Sequence, residues 1–238
     1  YNVNLIGTDA GNNADTIALT ITVTDANDNA PVFGDGATDS VNVAEGVTTV
    51  ADYDLTDGDS TDPLPSSGGC TDSGDDAGDF TPSRVDGDTC RIAFTTAPNY
   101  ESPADTGTNN VYNVNLIATD AGSNTDTIAL TLTVTDANDN APVFTAGATA
   151  SVSVAEGGTS VADYDLTDAD STDALKANGC TDSGTDAADF TPSKVDGDTC
   201  RIVFGSTTDY ENPADDGTNN VYNVNLIGTD AGNNADTI

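Results

Sequence analysis

The chain has 238 residues and a net charge of −36, with 41 acidic residues, five basic residues and no His, Met or Trp. So few cations leave no basic surface for nucleic acid or an anionic membrane, and both are excluded as direct partners. No apolar run reaches the roughly 18–20 residues that span a bilayer, so no direct membrane insertion is expected of this segment.

The sequence repeats itself with a period of about 110 residues, and residues 222–238 match residues 1–17 letter for letter. A sequence that begins and stops at the same phase of its repeat indicates a window cut from a longer array. The predicted domains are the last strands and linker of one repeat at 1–29, a complete repeat at 30–140, and a second repeat at 141–238 with a truncated last strand.

Apolar and polar residues alternate through each repeat. Residues 112–116 and 127–135 follow this pattern in the first repeat, and residues 151–154 and 200–204 follow it in the second. Alternation with a period of two predicts β-strands that bury one face. About seven strands per repeat, separated by Gly, Asp and Asn turns, predict an all-β chain of tandem Greek-key, immunoglobulin-like β-sandwiches in a linear array.

The nine residues Asp-Ala-Asn-Asp-Asn-Ala-Pro-Val-Phe occur twice, at 25–33 and 136–144. Each copy is too acidic for a core, and its Pro does not suit a central strand, so it is predicted to link two sandwiches. The final Phe33 or Phe144 is expected to plug the base of the following sandwich. The oxygen-rich side chains suit a hard cation such as Ca²⁺, and the alternative interpretation is a solvated turn.

Only four of the 41 acids are Glu, and they occupy matching positions in the two repeats. A solubilising surface would mix Asp and Glu, so the isolated Glu residues indicate a side chain with a particular reach. The remaining Asp residues are interpreted as a solvated acidic coat. Examples are Asp75, Asp76, Asp186 and Asp215.

Each repeat has two cysteines at the same spacing, Cys70 with Cys90 and Cys180 with Cys200. Two thiols without a His do not complete a zinc site, which leaves a disulfide within each repeat or buried free thiols. The pairing favours disulfides and, with them, an extracellular or cell-surface location.

The two repeats differ in length by one residue. The difference lies between Asp57 and Cys70 in the first repeat and between Asp168 and Cys180 in the second. Because insertions collect in loops, this stretch is predicted to be a loop.

Taken together, these motifs make the repeat resemble a cadherin domain of the kind found in bacterial and other microbial surface proteins. The linker matches the family's Asp-x-Asn-Asp-Asn-Ala-Pro-x-Phe, and Ala-Glu-Gly at 44–46 and 155–157 matches its early Glu motif. The further matches are Asp-x-Asp at 57–59 and 168–170, Ala-x-Asp-x-Gly at 118–122, its Gly variant at 228–232, and Asp-Tyr-Glu at 209–211.

In that family about three Ca²⁺ lie between successive domains, so the resemblance implies a ligand set at each junction. At the complete junction it comprises Glu45, Asn99, Glu101, Asp136, Ala137, Asn138, Asp139, Asn140 through its carbonyl, Asp168, Asp170 and Asp230. At the earlier junction it comprises Asp25, Asn27, Asp28, Asn29, Asp57, Asp59 and Asp120, while Glu156, Asp209 and Glu211 await a linker beyond Ile238. Asn99 replaces the Asp found at 209, which predicts weaker binding of the outermost ion.

The resemblance and the repetition predict a structural extracellular protein, a calcium-rigidified fibre, stalk or matrix filament. Its expected partners are other copies of the same repeats, in series or laterally. The alternative is a calcium-dependent adhesin that uses the repeats as an extender or for homophilic contact, and a calcium-buffering matrix protein is a further alternative. No enzyme is expected, because the chain lacks His and its carboxylates are assigned to metal. The identical end segments also allow the leading strands of one copy to complete the unfinished sandwich of the next.

Overall fold

The computed structural model describes residues 1–59, 64–170 and 175–238, and its regular structure is almost entirely β-sheet. None of the helices in this described part has the length and apolar character needed to cross a membrane. Two compact units are present: Tyr1–Val43 with Val47–Pro98 and Ala104–Thr133, and Val134–Ile238 with Ala44–Gly46 and Asn99–Pro103.

The first unit contains a β-sandwich built from two four-stranded sheets. Its strands are β1 (Asn2–Thr8), β2 (Ala14–Thr20), β3 (Val32–Phe33), β4 (Thr38–Ala44), β5 (Thr49–Thr56), β6 (Cys70–Ser73), β7 (Ser83–Arg84), β8 (Thr89–Ala93), β9 (Val111–Thr119) and β10 (Thr125–Thr135). One sheet has the order β4-β10-β9-β6 and the other the order β3-β5-β8-β7, while β1 and β2 pair as a separate hairpin.

The inward side chains of β9 and β10 fill the core of this sandwich. Ile128, Leu130 and Leu132 are at most 2% exposed, whereas the Thr residues between them lie on the outer face. The two strands pair from Thr125 opposite Thr119 to Thr133 opposite Val111. The predicted alternation and the β-sandwich class are therefore confirmed.

The Phe at the end of each linker is buried, as the sequence predicts. Phe33 is 2% exposed and meets Tyr53 edge to face, and Phe144 is 1% exposed. The Asp126 carboxylate accepts the backbone N–H of Phe33 at 2.9 Å, and Asp236 does the same for Phe144. A buried ring and a bonded amide together fix where the linker enters the sandwich.

The second unit repeats this architecture with shorter strands at one end. Its strands are β11 (Val143–Phe144), β12 (Ser160–Thr167), β13 (Leu175–Ser183), β14 (Phe190–Lys194), β15 (Thr199–Phe204), β16 (Asn225–Asp230) and β17 (Ala235–Thr237). The sheets have the orders β11-β12-β15-β14 and β13-β16-β17. Single turns of 3-10 helix occur at Ala77–Asp79 in the first unit and Ala187–Asp189 in the second.

Both predicted disulfides are present, and each joins the two sheets of its sandwich. Cys70 on β6 is bonded to Cys90 on β8, and Cys180 on β13 is bonded to Cys200 on β15. The Cα atoms are 5.7 Å and 5.6 Å apart, within the usual range for disulfides. Closing a loop of about 20 residues stabilises a domain by roughly 3 kcal/mol in the chain-entropy picture.

One predicted strand is absent from the second unit. Val152 and Val154 alternate with serines as β4 residues do, yet residues 149–155 are exposed and outside any strand. In the first unit β4 lies beside β10 in the sheet, and Val43 is 5% exposed against 42% for the matching Val154. The strand prediction is wrong here because, among the described residues, the sheet of the second unit has the order β13-β16-β17 and gives residues 149–155 no strand to pair with.

The loop prediction before the first cysteine of each repeat holds only in part. Residues 64–69 lie outside strands, but β13 begins at Leu175 and reaches Cys180 through a register shift. Pro65 follows Leu64 in the first repeat and cannot donate to a strand ladder, whereas Lys176 follows Leu175. The parts of this prediction at 60–63 and 171–174 lie outside the described residues.

The interpretation of the other acids as a solvated coat is correct for Asp75 and wrong for three residues. Asp76 and Asp186 are 4% exposed and Asp215 is 2% exposed. Asp76 accepts the backbone N–H groups of Thr106 at 2.8 Å and Asn113 at 2.7 Å. These carboxylates are buried because they bind backbone amides that would otherwise lack a partner. The bonds of Asp105, Asp186 and Asp215 follow the same pattern, with donors Asn109, Asn110, Asp216, Asn223, Asn219 and Asn220.

Burial raises the pKa of Asp76, but the hydrogen bonds from Asn113 and Thr106 outweigh it, so the pKa lies below its ordinary value. A carboxyl with a lowered folded pKa adds stability at neutral pH, and this contribution is lost as the pH falls through that pKa. We expect Asp76→Asn to lower the free energy of unfolding by about 1–3 kcal/mol at pH 7. Urea denaturation measures this, and the loss should shrink below about pH 4.

Asp75→Asn removes the same charge from the exposed neighbour and should leave the free energy of unfolding nearly unchanged. Equal losses in the two variants would contradict a structural role for the buried carboxylate.

Candidate metal centre

Seven carboxylates lie together around the second linker, and we call them the 136–140 cluster. All belong to the second compact unit, which includes Ala44–Gly46 and Asn99–Pro103. They form three overlapping groups whose ligand oxygens lie within 4.8 Å of one another, and the groups share Glu101 and Asp170. The groups are Glu45, Glu101 and Asp139; Glu101, Asp136 and Asp170; and Asp168, Asp170 and Asp230.

Glu45 follows β4 directly and is held by backbone amides. Its Oε2 accepts the N–H of Tyr100 at 2.8 Å and its Oε1 accepts the N–H of Ala137 at 2.7 Å. Gly46 adopts φ 73°, a backbone conformation that suits glycine, and Glu45 is 6% exposed. Ala137, which the sequence placed among the ligands, contributes here by orienting Glu45 through its amide.

Glu101 lies where the first two groups meet, and burial raises its pKa, helped by the nearby charges of Glu45 and Asp136. Interactions with its own backbone N–H and with the Asn140 side chain lower the pKa but do not offset this rise. Within the described residues neither carboxylate oxygen of Glu101 accepts a hydrogen bond of ordinary geometry, and both are shielded from solvent. A buried anion in that position is suited to a cation.

Asp139 shows the same tendency. Its pKa is raised by desolvation first and then by the charges of Glu45, Asp170 and Asp136. Like charges this close favour protonation unless a cation balances them.

The linker amides fasten the chain to the loops on either side of the cluster. Asn140 donates to Asp170 from its backbone N–H at 3.1 Å and from its side chain at 2.7 Å. The side-chain oxygen of Asn138 accepts the N–H of Gly232 at 2.9 Å and a bond from the Asn234 side chain at 3.2 Å. These hydrogen bonds hold the linker against both loops.

Gly232 and Asn234 contact the linker at this site, and neither is among the ligand residues predicted from the sequence. Asn234 also donates to the buried Asp230, from its backbone N–H at 2.8 Å and its side chain at 2.9 Å. A Cβ added at Gly232 would lie 2.1 Å from the Asn138 side-chain oxygen and 2.5 Å from its carbonyl oxygen. The sequence does contain a signal for Asn234, because it lies four residues after Asp230 of the motif at 228–232. Asn124 lies at the same distance from Asp120 in the first repeat.

The earlier linker shows the same arrangement in the first unit. Asp57, Asp59 and Asp120 form one group with ligand oxygens within 4.8 Å. Asn29 donates to Asp59 at 2.9 Å and 2.6 Å, and Asn27 accepts from the side chain of Asn124 at 3.2 Å. The buried Oδ2 of Asp57 accepts no hydrogen bond in the described part of the chain. Among these residues, the structure does not bring the exposed Asp25 and Asp28 into a carboxylate group.

Glu156, Asp209 and Glu211 form a further group, which is exposed, in the second repeat. The Oδ1 of Asp209 accepts the N–H of Glu211 at 3.1 Å, and Glu156 accepts the N–H of Tyr210 at 3.0 Å. Asn99 holds the equivalent turn in the first repeat by accepting the N–H of Ser102 at 2.6 Å. The two residues therefore shape the same turn and differ by one negative charge.

The donor set of these groups fits a hard cation. It consists of carboxylate and amide oxygens, and the chain contains no His to offer imidazole nitrogen. Calcium prefers six to eight such oxygens in a flexible arrangement. The orphaned oxygens of Glu101 and Asp57 mark positions where a cation would satisfy buried polar atoms.

Solved structures similar to this chain are extracellular cadherin domains. The chain aligns over 100% of its length with protocadherin gamma B7 extracellular cadherin domains 1–4 (20% identity, TM-score 0.52). It also aligns over 100% with mouse clustered PcdhgC3 EC1–3 (20%, 0.58) and over 99% with human CDH23 EC21–23 (20%, 0.56). It spans 63%, 73% and 72% of those chains.

No protein-family model and no curated protein matches the chain. At 20% identity the likeness to solved structures concerns the fold alone, and the cadherin-like β-sandwich fold is confirmed by it. The microbial origin stays a prediction.

We expect Gly232→Ala to disrupt the attachment of the linker, because its methyl group would overlap Asn138. Overpacking of this kind costs about 1–3 kcal/mol. Hydrogen exchange should show faster exchange at the Gly232 amide, and urea denaturation should show a less stable second repeat.

Gly11→Ala provides a matched control in the same Asp-Ala-Gly motif. The atoms nearest to a Cβ at Gly11 would be side-chain atoms of Asn13 and Asp9, each at 3.3 Å. Stability should change little there, and a similar loss at both positions would mean that backbone preference, not the close approach, matters.

Proposed function

We propose that the chain is part of an extracellular structural protein whose tandem cadherin-like repeats are made rigid by calcium. The observation that carries this proposal is the run of three carboxylate groups that share Glu101 and Asp170. The same proposal includes a linear array of repeats, with repeat boundaries at 29–30 and 140–141.

Three Ca²⁺ ions fit the 136–140 cluster, one for each group. The outer ion is assigned to Glu45, Glu101 and Asp139, and the middle ion to Glu101, Asp136 and Asp170. The inner ion is assigned to Asp168, Asp170 and Asp230. Oxygen atoms of Asn138 and Asn140 add to these sets, and calcium supplies the charge that lets the carboxylates remain close.

The electrostatic balance supports this assignment. Two like charges about 5 Å apart repel by roughly 3 kcal/mol at an effective dielectric constant near 20. Seven carboxylates without cations therefore drive apart the segments that carry them, whereas three divalent cations nearly neutralise them. Because calcium binds the ordered arrangement better than the disordered one, it stabilises that arrangement by mass action.

The two disulfides support the proposed location outside the cell. Disulfides form and persist in oxidising compartments such as the extracellular space. Free calcium there suits modules that bind in the range of about 10⁻⁴–10⁻³ M.

Small-angle X-ray scattering of the 238-residue protein in millimolar calcium, and again with chelator, tests the proposal. Each sandwich with its linker spans up to roughly 45 Å from strand rise and chain reach. We expect a longer, stiffer particle with calcium and a shorter, flexible one after chelation. Glu101→Gln should resemble the chelated protein at intermediate calcium, and Asp75→Asn should behave like the unmodified chain.

If the scattering profile is the same with calcium and with chelator, the proposal is overturned, because the cluster would then be a solvated hinge. The same holds if Asp75→Asn and Glu101→Gln change the profile equally, because general charge would then be the cause.

Asn99→Asp should strengthen calcium binding at the outer position by roughly threefold to tenfold, because it restores the carboxylate found at Asp209. Isothermal titration calorimetry measures the change. Asn4→Asp adds the same charge to an exposed residue of β1 and should leave the affinity unaltered. An unchanged affinity in Asn99→Asp would show that residue 99 shapes the turn without contacting the ion.

An adhesive role is the second candidate, and the likeness to extracellular cadherin domains favours it. One of the similar solved structures is described as a cis-dimer of protocadherin gammaB7 EC3–6. Beads coated with this chain should aggregate in calcium if the repeats themselves adhere. If the beads stay dispersed in calcium, the adhesive role is excluded and the structural role remains.

A further inference from the structure

An Asn closes the loop that carries the last carboxylate of the group at the earlier linker. Asn124 donates to Asp120 twice, from its backbone N–H to Oδ1 at 2.7 Å and from its side chain to Oδ2 at 2.8 Å. The backbone N–H of Asp120 in turn donates to the carbonyl oxygen of Asn124 at 3.1 Å. We call this arrangement of the two residues the Asn clamp. It engages both oxygens of one carboxylate from a single residue.

The Asn clamp recurs wherever the chain reads Asp-Ala-Gly-x-Asn. These segments lie at 9–13, 120–124 and 230–234. Asn13 donates to Asp9 at 2.8 Å and 2.9 Å, and Asn234 donates to Asp230 at the same two distances. The residue before each Asn has a left-handed φ between 62° and 73°. The conformation of the loop therefore follows from the five-residue segment itself.

The clamp of the first repeat also holds the linker. The side-chain nitrogen of Asn124 lies 3.2 Å from the side-chain oxygen of Asn27 and 3.4 Å from its carbonyl oxygen. An amide NH₂ group has two hydrogens, so one serves Asp120 and the other serves Asn27. Gly122 permits this close approach, because a Cβ there would lie 2.3 Å from the Asn27 side-chain oxygen.

The clamped carboxylate keeps capacity for a cation. Asp120 is 4% exposed and forms one group with Asp57 and Asp59. A carboxylate has about four lone-pair sites, and the clamp uses two of them. The buried Oδ2 of Asp57 accepts no hydrogen bond within the described residues. The clamp thus sets the direction of Asp120 and leaves acceptor sites for an ion shared with Asp57.

We propose that Asn124 and Asn234 are positioning residues of the calcium centres, an inference that rests on the proposed function. Each orients one carboxylate, that of Asp120 or Asp230, and binds a linker Asn to the same loop. The side-chain nitrogen of each Asn faces oxygen atoms, so it donates hydrogen bonds and does not coordinate the ion. A carboxylate that is already held in place loses less freedom when the ion binds, which raises the affinity.

Calcium titration of the 238-residue protein, followed by amide NMR, tests this inference because it resolves the individual groups. Asn124→Leu removes the NH₂ group at similar side-chain size and keeps the backbone bond to Asp120. Calcium affinity at the earlier linker should fall about 10- to 100-fold, the usual effect of removing a residue that supports a metal ligand. The affinity at the 136–140 cluster should stay the same in this variant. Asn234→Leu should give the reverse result.

Two further variants separate positioning from a general loss of stability. Asn13→Leu breaks the same clamp at Asp9, which belongs to none of the carboxylate groups within the described residues. Both calcium affinities should be unchanged in that variant. Asn124→Ala removes the same amide with a smaller side chain and should agree with Asn124→Leu, so a folding fault specific to leucine would be recognised.

Hydrogen exchange gives a readout that does not depend on calcium affinity. The backbone N–H of Asn29 donates to Asp59 at 2.9 Å and reports whether the linker stays on its loop. This amide should exchange faster in Asn124→Leu than in the unmodified chain. The amide of Asn140, at the other linker, should exchange at an unchanged rate.

The inference is overturned if Asn124→Leu and Asn124→Ala bind calcium at the earlier linker as tightly as the unmodified chain does. The clamp would then only close the loop. It is also overturned if Asn13→Leu lowers the affinities as much as Asn124→Leu, since a general loss of stability would then be the cause. An unmodified chain without calcium-dependent shifts would instead contradict the proposed function, and the inference would fall with it.

Discussion

Repulsion among the seven carboxylates of the 136–140 cluster is the constraint on which the surrounding structure depends. Glu45 is nearly buried and fixed by two backbone amides, so it does not swing away from its neighbours. Local desolvation and nearby anions together raise the pKa values of Glu101 and Asp139. The fold holds these groups close at a cost, and the linker amides of Asn138 and Asn140 secure the chain there.

The buried acids fall into two kinds that differ in their donors. Asp76 accepts two backbone N–H groups, which lower its pKa and make it a permanent part of a loop. Glu101 has buried oxygens that lack such donors within the described residues, and its pKa is raised. Backbone amides therefore satisfy the charge of Asp76 without a cation, whereas the charge of Glu101 is left for a cation to balance.

Much of the fold was predictable from local pattern, because the alternation at Ile128 and Leu130 reports directly which face of a strand is buried. The cysteine pairs were predictable because two cysteines recur at the same spacing in each repeat. The burial of Asp76 was not predictable from the sequence, because its partners Thr106 and Asn113 are distant in sequence and contribute only backbone atoms. Residues 149–155 alternate like a strand, but strand formation depends on a neighbour that the pattern does not contain. The role of Gly232 likewise depends on how closely Asn138 approaches.

The disulfide between β6 and β8 also affects how a repeat responds to tension. A force applied through the linkers reaches the sandwich at β3 and leaves it at β10, whereas Cys70 and Cys90 lie between these strands in the chain. The disulfide does not resist the first separation of the terminal strands. It does prevent the segment between Cys70 and Cys90 from being pulled out into an extended chain. With a sequence separation of 20, an unravelled repeat gains about 65–70 Å less contour length than a reduced one. The disulfide thereby limits how far a single repeat can extend under tension.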